Sequence, residues 1–189
     1  MGKSSIRYVL MESHFNNPDL KPGLTDHSGI KVYYTEKLRP NDAGLFNVGP
    51  LVPDIFIPPF QDAYDVSGYC SPMCTSAMTK KNKGVRSPAT SLQRWARVIV
   101  WYSQEVRVFA SLLHAHYAGR KVKTEIVRNG TVVETLNRND NYDFAFQNFD
   151  FFPEEKVIKA GDLLKTTCTY RTRERPGITL GGLATYDEM

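Results

Sequence analysis

The stretch "VKTEIVRNGTVVETL", Val122 to Leu136, sets Asn129-Gly130 between two runs rich in β-branched residues. Asn-Gly supplies the positive φ angles of a two-residue type I′ turn, whose twist suits antiparallel strands. A hairpin is predicted here, and the same punctuation recurs along the chain. "VRVFASLLHAHY" reads as a strand, and "KVIKAGDLLKTTCTYRT" as strand, tight turn at Ala160-Gly161-Asp162, strand. "GIKVYYTEKL" and the imperfectly alternating "RYVLMESHF" read as further strands. Many short strands separated by Gly, Pro and Asn turns predict an all-β fold, an antiparallel jelly-roll-like β-sandwich with few or no helices. The segment Arg86 to Glu105 fits this plan badly. Leu92, Trp95, Val98, Ile99 and Tyr102 have helix-like spacing, yet Val98 to Tyr102 also suits a strand.

Charge argues against a nucleic-acid partner, and hydropathy against a membrane-spanning helix. The net charge is +4 with the basic residues spread out. Lys80, Lys81, Lys83 and Arg86 form the densest basic run, without interleaved aromatics, and read as a solvated loop. A nucleic-acid surface needs a clustered basic stripe. No run reaches the roughly 18 apolar residues of a membrane helix. "MGKSSIRYVLM" has a basic start, but its apolar segment is too short for a signal peptide. The three cysteines, Cys70, Cys74 and Cys168, cannot all pair within one chain. The Cys70–Cys74 spacing differs from the two-residue gap usual for zinc or redox pairs.

His114-Ala115-His116 carries the chemistry. On a strand, positions i and i+2 share a face, so the two imidazoles would stand side by side as cis ligands of one metal ion. The alternative is a pair of exposed or hydrogen-bonded histidines. A cupin-type iron or manganese site would want an early carboxylate, but Arg120 and Lys121 fill those positions and Glu125 comes nine residues after His116. A zinc site would want a further His or Cys, and His14 and His27 lie far upstream. Met189 is another donor: two imidazoles and a thioether form a soft, open site suited to copper. By spacing alone it is one of five methionines, and packing is its ordinary role.

Several collinear pieces carry a resemblance. "FASLLHAHYAGRKV", "NDNYDFAFQNFDFF" and "VIKAGDLLKTTCTYRTRERPGITLGGLATYDEM" resemble the copper type II, ascorbate-dependent monooxygenases. "ESHFNNP", "DHSGIKVYYTEKLRPNDAG", "IPPF" and "GYCSPMC" precede them in the matching order. The wording is nearest to the dopamine-β-hydroxylase-like (MOX) branch, and the resemblance covers nearly the whole chain.

The resemblance implies hydroxylation of an activated C–H bond of a small, phenolic-amine-like substrate, with O₂ as oxidant and ascorbate as reductant. It implies that His114, His116 and Met189 hold the oxygen-binding copper. It implies two coppers per full-length protein and one complete site here, with His14 as a partial site for the second, electron-donating copper. The adjacent histidine pair completing that site is absent, so the chain is expected to be a fragment lacking the N-terminal copper domain. Residues 1–26 would be the last strand region of that domain, and residues 27–189 the C-terminal copper domain, truncated at its end. A secretory location follows, with no signal peptide in the fragment. Cys70 and Cys74 are expected to pair with cysteines downstream, and Cys168 with one just after Met189. Arg86 to Glu105 looks like an insertion of about 20 residues, longer than ordinary connections between strands. Asn129-Gly130-Thr131 is also an N-glycosylation sequon, although the turn alone explains Asn-Gly. Two other readings stand beside this one: a non-catalytic secreted β-sandwich scaffold, and a zinc or iron enzyme using the same His-x-His pair.

Overall fold

The computed structural model describes residues 10, 11, 13, 15, 17, 19–37, 43–79 and 105–189. The chain divides into two units, residues 1–42 and 43–189. His14 and nearly all of the segment Arg86 to Glu105 lie outside the described residues, as does most of "RYVLMESHF".

In the first unit the expected strand "GIKVYYTEKL" is not one over residues 29–37. Ile30, Val32, Tyr33 and Tyr34 are all exposed. Strand propensity reports how well a side chain fits a half-buried pleated surface. Among the described residues no strand is paired with this β-branched run.

Among its described residues the second unit is the predicted all-β sandwich, with one short α-helix. Its strands are β1 (Phe56–Ile57), β2 (Tyr64–Cys70), β3 (Glu105–Leu112), β4 (Gly119–Arg128), β5 (Thr131–Asn139), β6 (Phe149–Lys159), β7 (Leu163–Tyr170) and β8 (Thr179–Leu180). A four-stranded sheet runs in the order β2-β7-β4-β5, β3 pairs with β6, and β1 pairs with β8. All of these strand pairings are antiparallel. The β4–β5 hairpin turns at Asn129 and Gly130, with φ of 51° and 78°, as the type I′ reading requires. β6 and β7 flank the tight turn at residues 160–162 but join different sheets. The chain therefore crosses from one layer to the other there. Val106, Val108 and Ile158 of one sheet pack with Cys70, Ile126, Leu136 and Leu164 of the other in a common core.

Helix α1 (Pro72–Thr79) begins by ordinary capping chemistry. The Ser71 hydroxyl accepts from Cys74 N–H at 3.4 Å, and Pro72 occupies the first helical position, where no N–H is needed. The turn before β7 holds this helix in place. Thr75 Oγ1 donates to Asp162 O at 2.7 Å, while the buried Asp162 carboxylate accepts from Arg128 Nε and Nη2, both at 2.7 Å. Burial alone would raise the Asp162 pKa, but the Arg128 hydrogen bond and the Lys159 N–H hold it below its ordinary value.

Cys70 and Cys74 form a disulfide with each other. This departs from the expectation that both would pair with downstream cysteines. The helix supplies the reason: its first turn brings the Cα atoms to 5.4 Å, within disulfide range. Cys168 is a buried free thiol, which burial pushes up to about 12. Among the described residues no helix is long and apolar enough to cross a membrane.

Candidate metal centre

The His-x-His segment lies just beyond the ladder of β3, in residues 113–116, before a turn at 117–118. This corrects the expectation that a strand would carry the pair. The alternation nevertheless persists. Leu113 and Ala115 are buried in a second core with Ile57, Val122, Cys168 and Tyr170. Their neighbours His114 and His116 take the alternate positions, with ring centroids 5.2 Å apart and planes at 89°.

Tyr142 does the work of the missing ladder partner. Its hydroxyl accepts from Ala115 N–H at 3.0 Å and donates to Ala115 O at 2.6 Å. One side chain thereby satisfies both backbone groups of the residue between the histidines, as a neighbouring strand would. Burial pushes the Tyr142 phenol up to about 12, so it keeps its proton. Gly119 N–H donates to His116 O at 3.0 Å, and Arg171 N–H donates to Ala118 O at 2.7 Å, closing the turn onto the end of β7.

Both rings are oriented through Nδ1. His116 Nδ1 lies 2.9 Å from the backbone oxygen of Asp187. A carbonyl only accepts, so Nδ1 carries the hydrogen and Nε2 is the nitrogen left to face a ligand. His114 Nδ1 lies 2.5 Å from Gln147 Oε1, while Gln147 Nε2 donates to Phe144 O at 2.8 Å. That second bond fixes which amide atom faces His114, and the same tautomer follows. Burial holds the His114 pKa below the ordinary imidazole value, outweighing the Gln147 hydrogen bond, with His116 adding to the lowering. Neutral imidazoles with anchored Nδ1–H groups are the form in which histidine binds metals.

The end of the chain comes to the same place. Gly181 to Glu188 forms a closed loop: Glu188 N–H donates to Leu180 O at 3.0 Å and Gly182 N–H to Glu188 O at 3.1 Å. Glu188 is fully buried. Its Oε2 accepts from His116 N–H at 3.1 Å and its Oε1 from Ala118 N–H at 2.5 Å. Arg175 Nη2 stands 3.6 Å from Oε1. Burial pushes the Glu188 carboxyl up to about 7, against the lowering by these N–H groups and by Arg175. Met189 is buried, and its backbone oxygen accepts from Tyr170 Oη at 2.7 Å. Met189 and His114 line one mostly apolar cavity of about 200 Å³, together with Cys168, Thr124 and Thr166.

The structure sets His114 and His116 side by side and puts Met189 on the lining of the same cavity as His114; His14, the fourth residue expected from sequence, is outside the described residues. No group of three His, Cys, Asp or Glu side chains suitable for a metal occurs among the described residues. Sequence reasoning missed Tyr142, Gln147 and Glu188. All three stand inside the quoted motifs, but nothing local marks an acid beside a terminal methionine as buried.

Residues 98–189 match the family described as copper type II ascorbate-dependent monooxygenase, C-terminal domain. The chain is similar to dopamine beta-hydroxylase of Canis lupus familiaris, at 36% identity over 189 residues, covering 100% of this chain and 27% of that protein. It is 36% identical over 184 residues to DBH-like monooxygenase protein 1 of Homo sapiens, covering 96% of the chain and 27% of that protein. Tyramine beta-hydroxylase of Caenorhabditis briggsae is 34% identical over 189 residues, covering 100% of the chain and 28% of that protein. The chain spans 27% of the length of the first of these curated relatives.

Proposed function

Because this chain belongs to the copper type II ascorbate-dependent monooxygenases, we propose that it carries the oxygen-activating half of such an enzyme, with His114, His116 and Met189 as copper ligands. Copper held there would supply one-electron redox chemistry for inserting oxygen from O₂ into an activated C–H bond, with ascorbate as the source of electrons. The observation that carries the proposal is the meeting of the His-x-His turn with the terminal segment. Asp187 O orients the ring of His116, and Glu188 holds the backbone of the same turn, one residue before Met189.

The residues fit the ion. Two imidazoles with Nδ1 anchored direct Nε2 lone pairs outward, and a thioether is a soft donor that favours Cu(I). The mostly apolar cavity lined by His114 and Met189 would offer room for an apolar group beside the ion. The substrate is proposed to be a small phenolic amine, since the similar proteins include enzymes named for dopamine and tyramine. His14 is proposed as one ligand of a second, electron-donating copper, completed by an N-terminal domain outside this chain. In that arrangement residues 1–26 belong to the end of the N-terminal domain and residues 27–189 to the C-terminal one. A secretory location is proposed as well, and the Cys70–Cys74 bridge favours an oxidising compartment.

Titration with Cu(I) tests the proposal. About one equivalent is expected to bind tightly, since metal binding requires a complete ligand set. Two tight equivalents would contradict the single-site account, and none would favour a non-catalytic scaffold. Zinc or iron in protein purified without added metal would favour the other metalloenzyme reading.

A further inference from the structure

We infer that Glu188 is a positioning residue for this centre: by gripping the His-x-His turn from the residue beside Met189, it fixes where the sulfur stands relative to the two imidazoles. The inference rests on the proposed copper ligands, and it adds a role for a side chain that is not itself a ligand.

The argument begins with cost. A buried carboxylate is expensive unless hydrogen bonds or charges compensate it. Glu188 is fully buried, yet each of its oxygens has a backbone partner, His116 N–H at 3.1 Å and Ala118 N–H at 2.5 Å. Those two N–H groups lie beyond the ladder of β3, where a neighbouring strand would otherwise have satisfied them. The cation nearby grips the same loop. Arg175 Nη1 donates to Tyr186 O at 2.8 Å and to Thr179 Oγ1 at 3.1 Å, and Nη2 approaches Glu188 at 3.6 Å.

Connectivity then does the positioning. His116 is held at three points: Glu188 on its N–H, Asp187 O on its ring, and Gly119 N–H on its carbonyl. Two of the three belong to the residues immediately before Met189. Tyr170 Oη holds Met189 from the other side through its backbone oxygen. Little backbone freedom remains between the imidazole of His116 and the thioether. A neutral amide at position 188 could fill the space, but only one of its two terminal atoms is an acceptor, whereas the two N–H groups face separate oxygens. The carboxylate is the one side chain of this length with two acceptors and no donor.

Glu188→Gln tests this with little change in shape, and Glu188→Ala removes the grip altogether. In the glutamine variant one backbone N–H faces an NH₂ group instead of an acceptor. The expected result is a folded protein, judged by cooperative thermal unfolding, in which the His116 or Ala118 amide exchanges faster than in wild type. Its Cu(I) affinity, measured by competition with a chromophoric chelator, should fall about 10–100-fold. Its copper X-ray absorption should lose sulfur scattering relative to nitrogen. A purely structural role would leave that spectral ratio unmoved. Wild-type affinity and sulfur scattering in a folded Glu188→Gln would overturn the inference while leaving the copper ligands in place. A wild-type sample without sulfur scattering would overturn the ligand assignment and this role with it.

Discussion

His116→Ala removes tight Cu(I) binding from this chain, and His114→Ala does the same. Structural metal sites with four protein ligands have apparent binding free energies of about 10–16 kcal/mol, so one ligand is worth roughly 3 kcal/mol, or more than 100-fold in affinity. With three protein donors the loss of one falls on a smaller set, and the effect is larger in proportion. The fold should survive His116→Ala, because Glu188 grips the backbone N–H of that residue and not its ring. Ala115 also keeps both bonds to Tyr142. Competition titration against a Cu(I) chelator reads the result, with the exposed His27→Ala as the matched control. Unchanged binding in both site variants would remove the His-x-His pair from the metal site and favour the scaffold reading.

Gly181→Ala is expected to weaken stability and copper binding together. A Cβ at Gly181 would lie 1.8 Å from the Val52 backbone oxygen and 3.1 Å from Ile55 Cβ. The backbone has little room to retreat, since Gly181 N–H donates to Ile55 O at 3.0 Å. The neighbouring β1–β8 pairing consists of only Phe56 with Leu180 and Ile57 with Thr179. So short a ladder yields before the sandwich does. Overpacking of this kind costs about 1–3 kcal/mol or more. The loop that yields is the one carrying Glu188 and Met189, so displacement there reaches the proposed ligand. Urea unfolding and Cu(I) competition on the same sample check both halves. Normal stability with normal copper binding would show that the close approach at Gly181 is not what seats the terminal loop.

What could be read from the sequence was local. Asn129-Gly130 fixes its own turn, because positive φ at both residues is a property of the dipeptide and needs no distant partner. The strands on either side of residues 160–162 were legible for the same reason. "GIKVYYTEKL" failed because a strand is completed by its neighbour. The Cys70–Cys74 bridge was missed because its spacing was judged without the helix that Ser71 and Pro72 start between them. The histidine pair was readable from period two, although Tyr142 rather than a strand maintains that geometry. The close approach of Gly181 to Val52 cannot be seen without the fold. Donor chemistry made Met189 one candidate among five methionines, and the resemblance singled it out. Glu188 stayed hidden because its partners lie more than 69 residues away, 72 for His116 and 70 for Ala118.

The most direct test of the copper ligands is X-ray absorption at the copper edge, on this chain loaded with one equivalent of Cu(I), beside Met189→Leu. The account predicts two imidazole nitrogens and one sulfur in the wild type, with the sulfur missing from the leucine variant and the nitrogens unchanged. A wild-type spectrum without sulfur, or one whose sulfur survives in Met189→Leu, would contradict it.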